Sequence, residues 1–493
     1  MSREVFIEAL CTPELADIID LVCWVEDGPA GRTAYAANHL GRVRFHTEGP
    51  REVVAGTDPI GSEDPLAFLP YEKELANPSP ARASENAYPL AATRLLSFFA
   101  NPDRSPDLAI VHSPKHFFPD EGGHVGEHGS LDVIQSRAPF ILSGAGIRRE
   151  GYVDDYARLV DVGPTLAHLA GVPDSDLHDN DGRPLDGRPR TEYFAHDQPR
   201  SHVIGILWDG GHCGDLLHLA ETGELPGVAR LIERGVALRG GAVAEFPSIT
   251  LTNHTAILTG VGPGRHGVMG NVYFDRATGE RVVPNDQSTW HRSSEWLLPE
   301  ARTIFEMLAD HVPAGDRLRT ASVDEAIDRG ADYSTMALIR ASGESGADAL
   351  DDALPDPHTS PYLRNPDYLE DSYFRWGVRV DDLGLQQMLD LWADADQAPL
   401  LTWWANVITD CGHHGGGPRS DMARDSLRQA DARLSTFLDH LEGLGVLDDV
   451  TILLTADHGF EGSDPAVTGS WRAALDALDL PYRDEGPGLV YLL

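Results

Sequence analysis

Lysine is almost missing from this 493-residue chain: Lys73 and Lys115 are the only two, so nearly every cationic side chain is an arginine. Positive charge as a whole is scarce, since 39 Lys and Arg residues stand against 78 Asp and Glu residues, which gives a formal net charge of −39. A surface this acidic repels phosphate backbones and anionic lipid headgroups. We therefore expect neither nucleic-acid polymers nor membrane surfaces among the partners.

Cysteines and long apolar runs are also few. Cys11, Cys23, Cys213 and Cys411 are scattered without C-x-x-C spacing, which indicates neither a disulfide framework nor a thiolate zinc site. No run of about 18 apolar residues occurs, and the N-terminal residues lack the basic start, apolar stretch and cleavage site of a signal peptide. These absences lead us to expect a soluble protein of the reducing cytoplasm.

Short apolar runs that end in polar residues determine the expected fold. Such runs, separated by longer amphipathic stretches, are typical of buried strands in a mostly parallel sheet with crossover helices. The clearest runs are 108–111, 138–142, 203–208, 400–404 and 450–455, and helical spacing marks 301–310 and 420–444. The sequence therefore predicts an α/β fold in which a central, mostly parallel sheet is flanked by helices.

Two polar stretches interrupt this pattern. Residues 173–201 are rich in Asp, Pro, Gly and Arg, which is typical of a linker or a surface excursion. Residues 343–371 carry many Asp, Pro and Ser residues, and we expect them to belong to a cap or an insertion over the site.

Acid, hydroxyl and imidazole groups occur just past several apolar runs, at the edge where open α/β sheets bind their ligands. The residues concerned are Asp209, Thr250, Asp410, His414, Asp457 and His458. Each is weak evidence alone, because an Asp at a strand end is also a common helix cap or turn former. Together they supply the oxygen and nitrogen donors that suit zinc or manganese.

One further imidazole is needed to fill two metal sites. The candidates are His124 and His128 in GGHVGEHGSL, a glycine-rich loop that is a poor core element. The alternative is that both are solvated loop histidines.

In combination, these segments resemble the alkaline phosphatase superfamily and, within it, the type I phosphodiesterase/nucleotide pyrophosphatase family. The resemblance implies two divalent metal ions side by side, zinc or else manganese, with a threonine nucleophile between them. It implies Asp209, Thr250, Asp457 and His458 as ligands of the first metal and Asp410, His414 and His128 as ligands of the second. It also implies that Asn271, in PGRHGVMGN, binds a phosphate oxygen.

The order of these segments differs from the family's order. The His-Gly segment, which contains His128, and the elements that follow it occupy residues 124–173 here. In the family these elements come after the Asp-His pair, which is Asp457-His458 in this chain. We interpret this as circular permutation of an alkaline-phosphatase-like layered fold, and the hypothesis requires His128 to lie near Asp410. Residues 1–187 would complete the catalytic domain, 188–200 would be a linker, and 201–493 would be the main catalytic part with a cap insertion around 280–397.

The function implied by the resemblance is metal-dependent hydrolysis of phosphodiester or pyrophosphate bonds in a small molecule. Nucleotide pyrophosphatases have base-stacking aromatic residues where this chain has Leu251 and Ala405, which weakens the case for a nucleotide. Trp404, Tyr273, Phe274 and Trp290 are candidate replacements, with a core or lid role as the alternative for each.

Two other functions stay open. The segments ITD and GVMGN are also similar to phosphonoacetate hydrolase, which cleaves a carbon–phosphorus bond, although no lysine lies near these motifs. A catalytically silent protein that binds metal and ligand is the alternative from another class.

Neighbouring residues compete for individual roles. His413 could replace His414 as a ligand, but the Asp-x-x-x-His spacing favours His414. Ser248, two residues before Thr250, is a rival nucleophile. We expect structural roles for His254 and His266.

Overall fold

The computed structural model describes residues 3–29, 31–45, 50–77, 79–80, 83–195, 202–315, 317–342, 353–486 and 488–493. The helices are α1 Arg3–Leu10, α2 Tyr71–Ala76, α3 Ala91–Phe98, α4 Val133–Ser136, α5 Val162–Leu169, α6 Cys213–Glu221, α7 Pro226–Glu233, α8 Thr250–Thr259, α9 Pro263–His266, α10 Ile304–His311, α11 Thr335–Ser342, α12 Ser372–Leu391, α13 Ile408–Gly416, α14 Asp421–Gly443 and α15 Arg472–Asp476. Short 3₁₀ turns occur at Pro13–Leu15, Pro119–Glu121, Leu159–Asp161, Asp174–Asp176, Thr191–Tyr193, Trp290–Trp296, Pro357–Thr359 and Pro366–Glu370.

The strands are β1 Ile19–Gly28, β2 Gly31–Ala37, β3 Gly41–Phe45, β4 Glu52–Gly56, β5 Leu108–His112, β6 Gly126–Glu127, β7 Arg137–Ala138, β8 Phe140–Gly144, β9 Gly151–Val153, β10 Ala157–Arg158, β11 His202–Trp208, β12 Gly235–Leu238, β13 Ala242–Val243, β14 Tyr273–Asp275, β15 Glu280–Val282, β16 Thr320–Val323, β17 Tyr333–Ser334, β18 Leu401–Asn406, β19 Val450–Thr455, β20 Glu461–Gly462, β21 Tyr482–Glu485 and β22 Leu489–Leu492.

The largest sheet within the described ranges has eight strands, in the order β17-β16-β18-β11-β19-β8-β12-β9. Strand β11 is parallel to β18 and β19, and β16 is parallel to β17 and β18. Strand β8 is antiparallel to both of its neighbours, β19 and β12. The mostly parallel central sheet expected from the sequence is confirmed.

Helices cover both faces of this sheet. Alternate residues of β11 belong to different apolar clusters: Ile204 and Ile206 pack with α6, α7, α12 and α14, while Val203 and Leu207 pack with α5, α8 and α10. Because side chains alternate across a strand, burial on both faces requires a continuous apolar run, which is what VIGILW supplies.

A second sheet, with the order β21-β22-β5-β1-β2-β3-β4, combines residues from the two ends of the chain. Its strands pair antiparallel throughout, and strand β5 belongs to it. The placement of the run 108–111 in the parallel sheet is therefore wrong. A five-residue apolar run indicates a buried strand, but it does not specify the partner strands.

Part of the range 280–397, for which a cap insertion is predicted, belongs to the main sheet and its helical cover. Strand β16 pairs with β18 inside the main sheet, and Ile304, Phe305 and Leu308 of α10 are buried against one face of that sheet. A four-residue strand flanked by polar residues gives too weak a periodic signal to be found in the sequence. Residues 343–352 of the predicted polar excursion lie outside the described residues.

The predicted linker, 188–200, is described as far as residue 195. Arg190, Tyr193 and Phe194 are buried, and the Arg190 guanidinium lies 2.9 Å from the Asp155 carboxylate. This part of the stretch therefore packs on the body of the protein rather than crossing solvent.

A buried ionic network joins the N-terminal segment to the later part of the chain. Glu74, in α2, lies 3.3 Å from His212 and 2.8 Å from Arg419, and the Arg419 N–H donates to Asp215. Although burial favours the neutral ring, the carboxylates of Glu74 and Asp215 raise the pKa of His212 to about 9. Loss of one member would leave an unpaired buried charge, so this network fixes the two segments together.

Candidate metal centre

The polar side chains predicted from the strand ends meet at one edge of the main sheet. Asp209 directly follows β11, and Asp457 and His458 follow β19, its parallel neighbour. Asp410 lies in the first turn of α13, which begins just after β18. Gly210, with φ of +60°, makes the turn that allows its N–H to donate to the Asp457 carboxylate at 2.9 Å. Carboxyl ends of parallel strands share one edge, which brings these groups together.

His128, Asp410 and His414 form one possible metal-binding group, with donor atoms that all lie within 4.8 Å of one another. His128 comes directly after β6, and β6 pairs with β20, the strand that follows His458. The rings of His128 and His458 are stacked with centroids 3.8 Å apart. The short β6–β20 pairing therefore places His128 in the centre, and the proximity to Asp410 that the permutation hypothesis requires is met.

Asp209 belongs to two further groups of the same size. One contains Asp209, His254 and Asp457, and the other contains Asp209, Asp410 and His458. The predicted first-metal carboxylates and imidazole are thus close together, with His458 Nε2 3.1 Å from Asp457 Oδ2 and 3.8 Å from Asp209 Oδ1. His458 also groups with Asp410, and His254 is an additional donor.

The orientation of the imidazoles follows from their backbone contacts. Nδ1 of His128, His414 and His458 lies 3.1, 3.0 and 3.0 Å from the carbonyl oxygens of Ser248, Gly126 and Gly459, respectively. A carbonyl only accepts hydrogen bonds, so Nδ1 carries the proton and the lone pair of a neutral ring is on Nε2. This is the arrangement typical of metal-binding histidines.

Several donor atoms in the centre are buried without a hydrogen-bond partner. They are Asp209 Oδ1, Asp410 Oδ1, Asp457 Oδ2, His254 Nε2 and His458 Nε2. Burial and the Asp457 carboxylate raise the pKa of Asp209 well above its ordinary value, and burial together with neighbouring imidazoles lowers the pKa of His128 and His414. Such a set of unsatisfied oxygen and nitrogen donors fits divalent metal ions.

Thr250 is the first residue of α8 and lies one helical turn before His254. His254 Nε2 is 3.8 Å from an Asp209 oxygen and 3.7 Å from an Asp457 oxygen, so residue 250 is on the helix face that points towards the carboxylates. The N–H of Leu251 donates to Asn271 Oδ1 at 3.3 Å. The two predicted catalytic residues, Thr250 and Asn271, therefore lie beside each other at a helix N-terminus.

The competing residues point elsewhere. The Ser248 hydroxyl donates to the Ser130 carbonyl at 2.7 Å. His413 has the same Nδ1-to-carbonyl contact as the candidate ligands, 2.6 Å to Thr409, but it joins none of the donor groups found among the described residues. His266 accepts from the Val268 N–H, and burial lowers its pKa to about 3. His124 lies beside His414, with ring centroids 4.3 Å apart, but joins none of the donor groups found among the described residues.

Two side chains of this centre were missed by reasoning from the sequence. Glu325, after β16, lies 2.9 Å from His254 Nδ1 and accepts from Trp403 Nε1 at 2.8 Å. Tyr373, near the start of α12, donates its hydroxyl hydrogen to Asp410 Oδ2 at 2.6 Å. The only available signal for Glu325 was its position just after a strand, and that strand itself was not predicted.

The candidate replacements for the missing base-stacking residues differ in accessibility. Trp404, Tyr273 and Phe274 are buried in the core. Trp290 is only partly buried and contacts Trp376, whose ring is parallel to that of Tyr373. An uncharged aromatic surface therefore lies next to Asp410.

Comparison with known families agrees with this geometry. The sequence model described as type I phosphodiesterase / nucleotide pyrophosphatase matches residues 203–491, which is more than half of the chain. The chain belongs to this family. The resemblance to the type I phosphodiesterase/nucleotide pyrophosphatase family expected from the motifs is confirmed, and the matched region contains Asp209, Thr250, Asp410 and Asp457 but not His128.

Individual relatives of this phosphodiesterase family member match over part of their length. It is 26% identical over 267 residues to an uncharacterised pyrophosphatase/phosphodiesterase of Schizosaccharomyces pombe, covering 53% of this chain and 45% of the relative. It is also 26% identical over 151 residues to ectonucleotide pyrophosphatase/phosphodiesterase 2 of Saccharomyces cerevisiae, covering 28% of this chain and 30% of that protein. The chain thus spans less than half the length of these curated relatives.

Two solved structures are similar to it. Murine ectonucleotide pyrophosphatase/phosphodiesterase 5 is 15% identical with a TM-score of 0.38, covering 54% of this chain and 59% of that one. Phosphonoacetate hydrolase from Sinorhizobium meliloti 1021 is 25% identical with a TM-score of 0.33, covering 53% and 57%. Over the parts of the chain that the structure describes, no helix has both the length and the apolar character needed to cross a membrane.

Proposed function

We propose that this protein is a metal-dependent hydrolase that cleaves phosphodiester or pyrophosphate bonds of a small molecule. The observation that carries the proposal is the convergence of unpartnered carboxylate and imidazole donors on the N-terminus of α8, where Thr250 lies beside Asn271. Membership of the type I phosphodiesterase/nucleotide pyrophosphatase family supports it independently.

The proposed site contains two metal positions. Asp209, Thr250, Asp457 and His458 would hold the first ion, with His254 as an additional donor close by, and His128, Asp410 and His414 would hold the second. We propose zinc, with manganese as the alternative, because both accept mixed oxygen and nitrogen donors. Two such ions, when bound, neutralise the charge of the attacking and leaving oxygens and activate water.

The residues of the chain would perform the displacement itself. Thr250 Oγ would give up its proton and attack phosphorus while the bond to the leaving oxygen breaks, and the leaving oxygen would take up a proton. Water would then hydrolyse the covalent threonine ester and release the second product. The Leu251 N–H holds Asn271 Oδ1, so the Asn271 NH₂ group beside Thr250 would donate to the charge that develops on the non-bridging oxygens. The Leu251 N–H would join it by exchanging its bond to Asn271 for one to the phosphate oxygen. The N-terminal end of α8 adds a favourable dipole for that negative charge.

The proposal is tested by comparing hydrolysis of bis-p-nitrophenyl phosphate, p-nitrophenyl phosphate and phosphonoacetate, with metal content measured on the same preparation. We expect about two metal ions per chain and faster cleavage of the diester than of the monoester, because the proposed function is that of a phosphodiesterase. Cleavage of phosphonoacetate alone would contradict the phosphodiesterase function and indicate a hydrolase of carbon–phosphorus bonds. Bound metal with no turnover of any substrate would favour a silent binding protein.

We also propose that residues 1–187 are the family's last part, moved in front of the main catalytic part, 201–493. His128 contacts the centre through the β6–β20 pairing although it lies outside the region that the family matches. Strand β8 lies within the main sheet beside β19, and α5 covers that sheet. A rearranged chain, opened between residues 195 and 202 and with residue 493 joined to residue 1 by a flexible linker, should still bind metal. An unfolded product would contradict the permutation.

A further inference from the structure

Helix α12 packs closely on α13, the helix that carries Asp410 and His414. Tyr373, Gly377 and Asp381 follow one another at intervals of four residues, so they lie along one face of α12. Each of the three contacts α13 or the residue just before it, and together they determine how α12 is placed against the metal centre.

Gly377 sets the distance between the two helices. A Cβ atom at this position would lie 2.8 Å from Cys411 Sγ and 3.2 Å from Ile408 Cα, so a larger residue would push the helices apart. One turn further along, the Asp381 carboxylate accepts from the N–H groups of Val407 and Ile408, at 2.8 and 3.4 Å. These are N–H groups at the start of α13 that have no partner within the helix, so Asp381 fixes that end in place.

Tyr373 lies one turn on the other side of Gly377 and reaches Asp410. Its hydroxyl donates to Asp410 Oδ2 at 2.6 Å, a short bond typical of a charged acceptor. The ring is held by parallel stacking on Trp376, with centroids 5.6 Å apart, and the Tyr373 N–H is held by the N-cap Asp371 at 2.8 Å. Both the ring and the backbone of Tyr373 are therefore fixed.

The second oxygen of Asp410 is in a different situation. Oδ1 is buried, has no hydrogen-bond partner and lies 3.4 Å from His414 Nε2, in the group formed with His128. The phenol thus occupies the oxygen that faces α12, which leaves the free oxygen, Oδ1, facing His414.

We propose that Tyr373 is a positioning residue that orients Asp410 for the second metal ion, so that α12 determines the occupancy of that site. The proposal rests on the metal centre of the proposed function. Residues that hydrogen-bond to metal ligands restrict the ligand to its binding orientation. Their loss typically lowers metal affinity about 10- to 100-fold.

The test is the Tyr373→Phe variant, which removes the hydroxyl and keeps the ring and its stacking on Trp376. Zinc affinity is measured by competition with a chromophoric chelator, and turnover is measured at limiting and at excess zinc. We expect the affinity of one of the two sites to fall about 10- to 100-fold, and that of the other to change by less than about twofold. Turnover should fall at limiting zinc and recover at excess zinc, with KM unchanged.

Tyr362→Phe is the matched control. Its hydroxyl bonds to Thr436 at 3.1 Å, on α14 and away from Asp410, so this variant should bind both metal ions like the wild type. The proposal is overturned if Tyr373→Phe keeps wild-type affinity at both sites, or if both affinities fall equally. Wild-type protein that binds two zinc ions but cleaves no diester would contradict the proposed function and leave the zinc titration of the variants as a valid test of Tyr373.

Discussion

Thr250→Ala should lower the turnover of bis-p-nitrophenyl phosphate by on the order of 10³-fold or more, because it removes the proposed nucleophile. The carboxylate and imidazole donors of Asp209, Asp457 and His458 remain in this variant, so metal should still be present at close to two ions per chain. Steady-state kinetics and metal analysis of the same purified sample measure both effects.

Ser248→Ala provides the comparison for this variant. Ser248 lies two residues from Thr250, but its hydroxyl donates to the Ser130 carbonyl and is buried. We expect Ser248→Ala to keep turnover within about tenfold of wild type, since only one ordinary hydrogen bond is lost. Inactive Ser248→Ala together with active Thr250→Ala would assign the nucleophile to Ser248 instead. Thr250→Ser should retain part of the activity, because a hydroxyl stays in place.

Removal of metal by a chelator should abolish turnover and lower the melting temperature by several degrees. Asp209, Asp410 and Asp457 are buried side by side, each with an oxygen that has no hydrogen-bond partner, and bound cations would neutralise their repulsion. A ligand present at 100 to 1,000 times its Kd stabilises the folded state by about 3–4 kcal/mol. Thermal unfolding with and without chelator measures this difference.

The variant Asp410→Asn gives the matched control for the chelation experiment. It removes one negative charge and one metal donor, so the chelator should lower its melting temperature less than that of the wild type. Zinc added back in excess should restore both turnover and melting temperature of the wild-type protein. If the chelator-treated protein is shown to be free of metal and still melts at the temperature of the untreated protein, the two-metal interpretation is contradicted.

The sequence predicted the carboxylates and imidazoles at the sheet edge better than it predicted the segments around them. Asp209, Asp457 and His458 could be placed together because each follows a buried strand, and strands of a parallel sheet end at a common edge. The position of the four-residue strand β16 could not be predicted, because a run that short has no detectable periodicity. As a result, Glu325, the second residue after β16, was missed.

Local sequence patterns could not predict contacts between elements that are distant along the chain. His128 was a candidate only because a second imidazole was needed, and its place in the centre depends on the β6–β20 pairing across more than 330 residues. The assignment of a structural role to His254 did not anticipate that its Nε2 lies between Asp209 and Asp457. Tyr373 was not considered at all, although its spacing from Gly377 and Asp381 was visible in the sequence.

The sequence by itself determined the α/β fold with its mostly parallel sheet, the family, and which acid, hydroxyl and imidazole side chains follow the strands of that sheet. These features are set by local properties: apolar runs long enough to be buried on both faces, and polar residues directly after them. Only the tertiary structure decided that β5 belongs to a second sheet, that β16 belongs to the first, and that Tyr373 contacts Asp410. Those outcomes depend on which surfaces pack against each other, and the packing distance that brings Tyr373 to Asp410 is set by the missing side chain of Gly377.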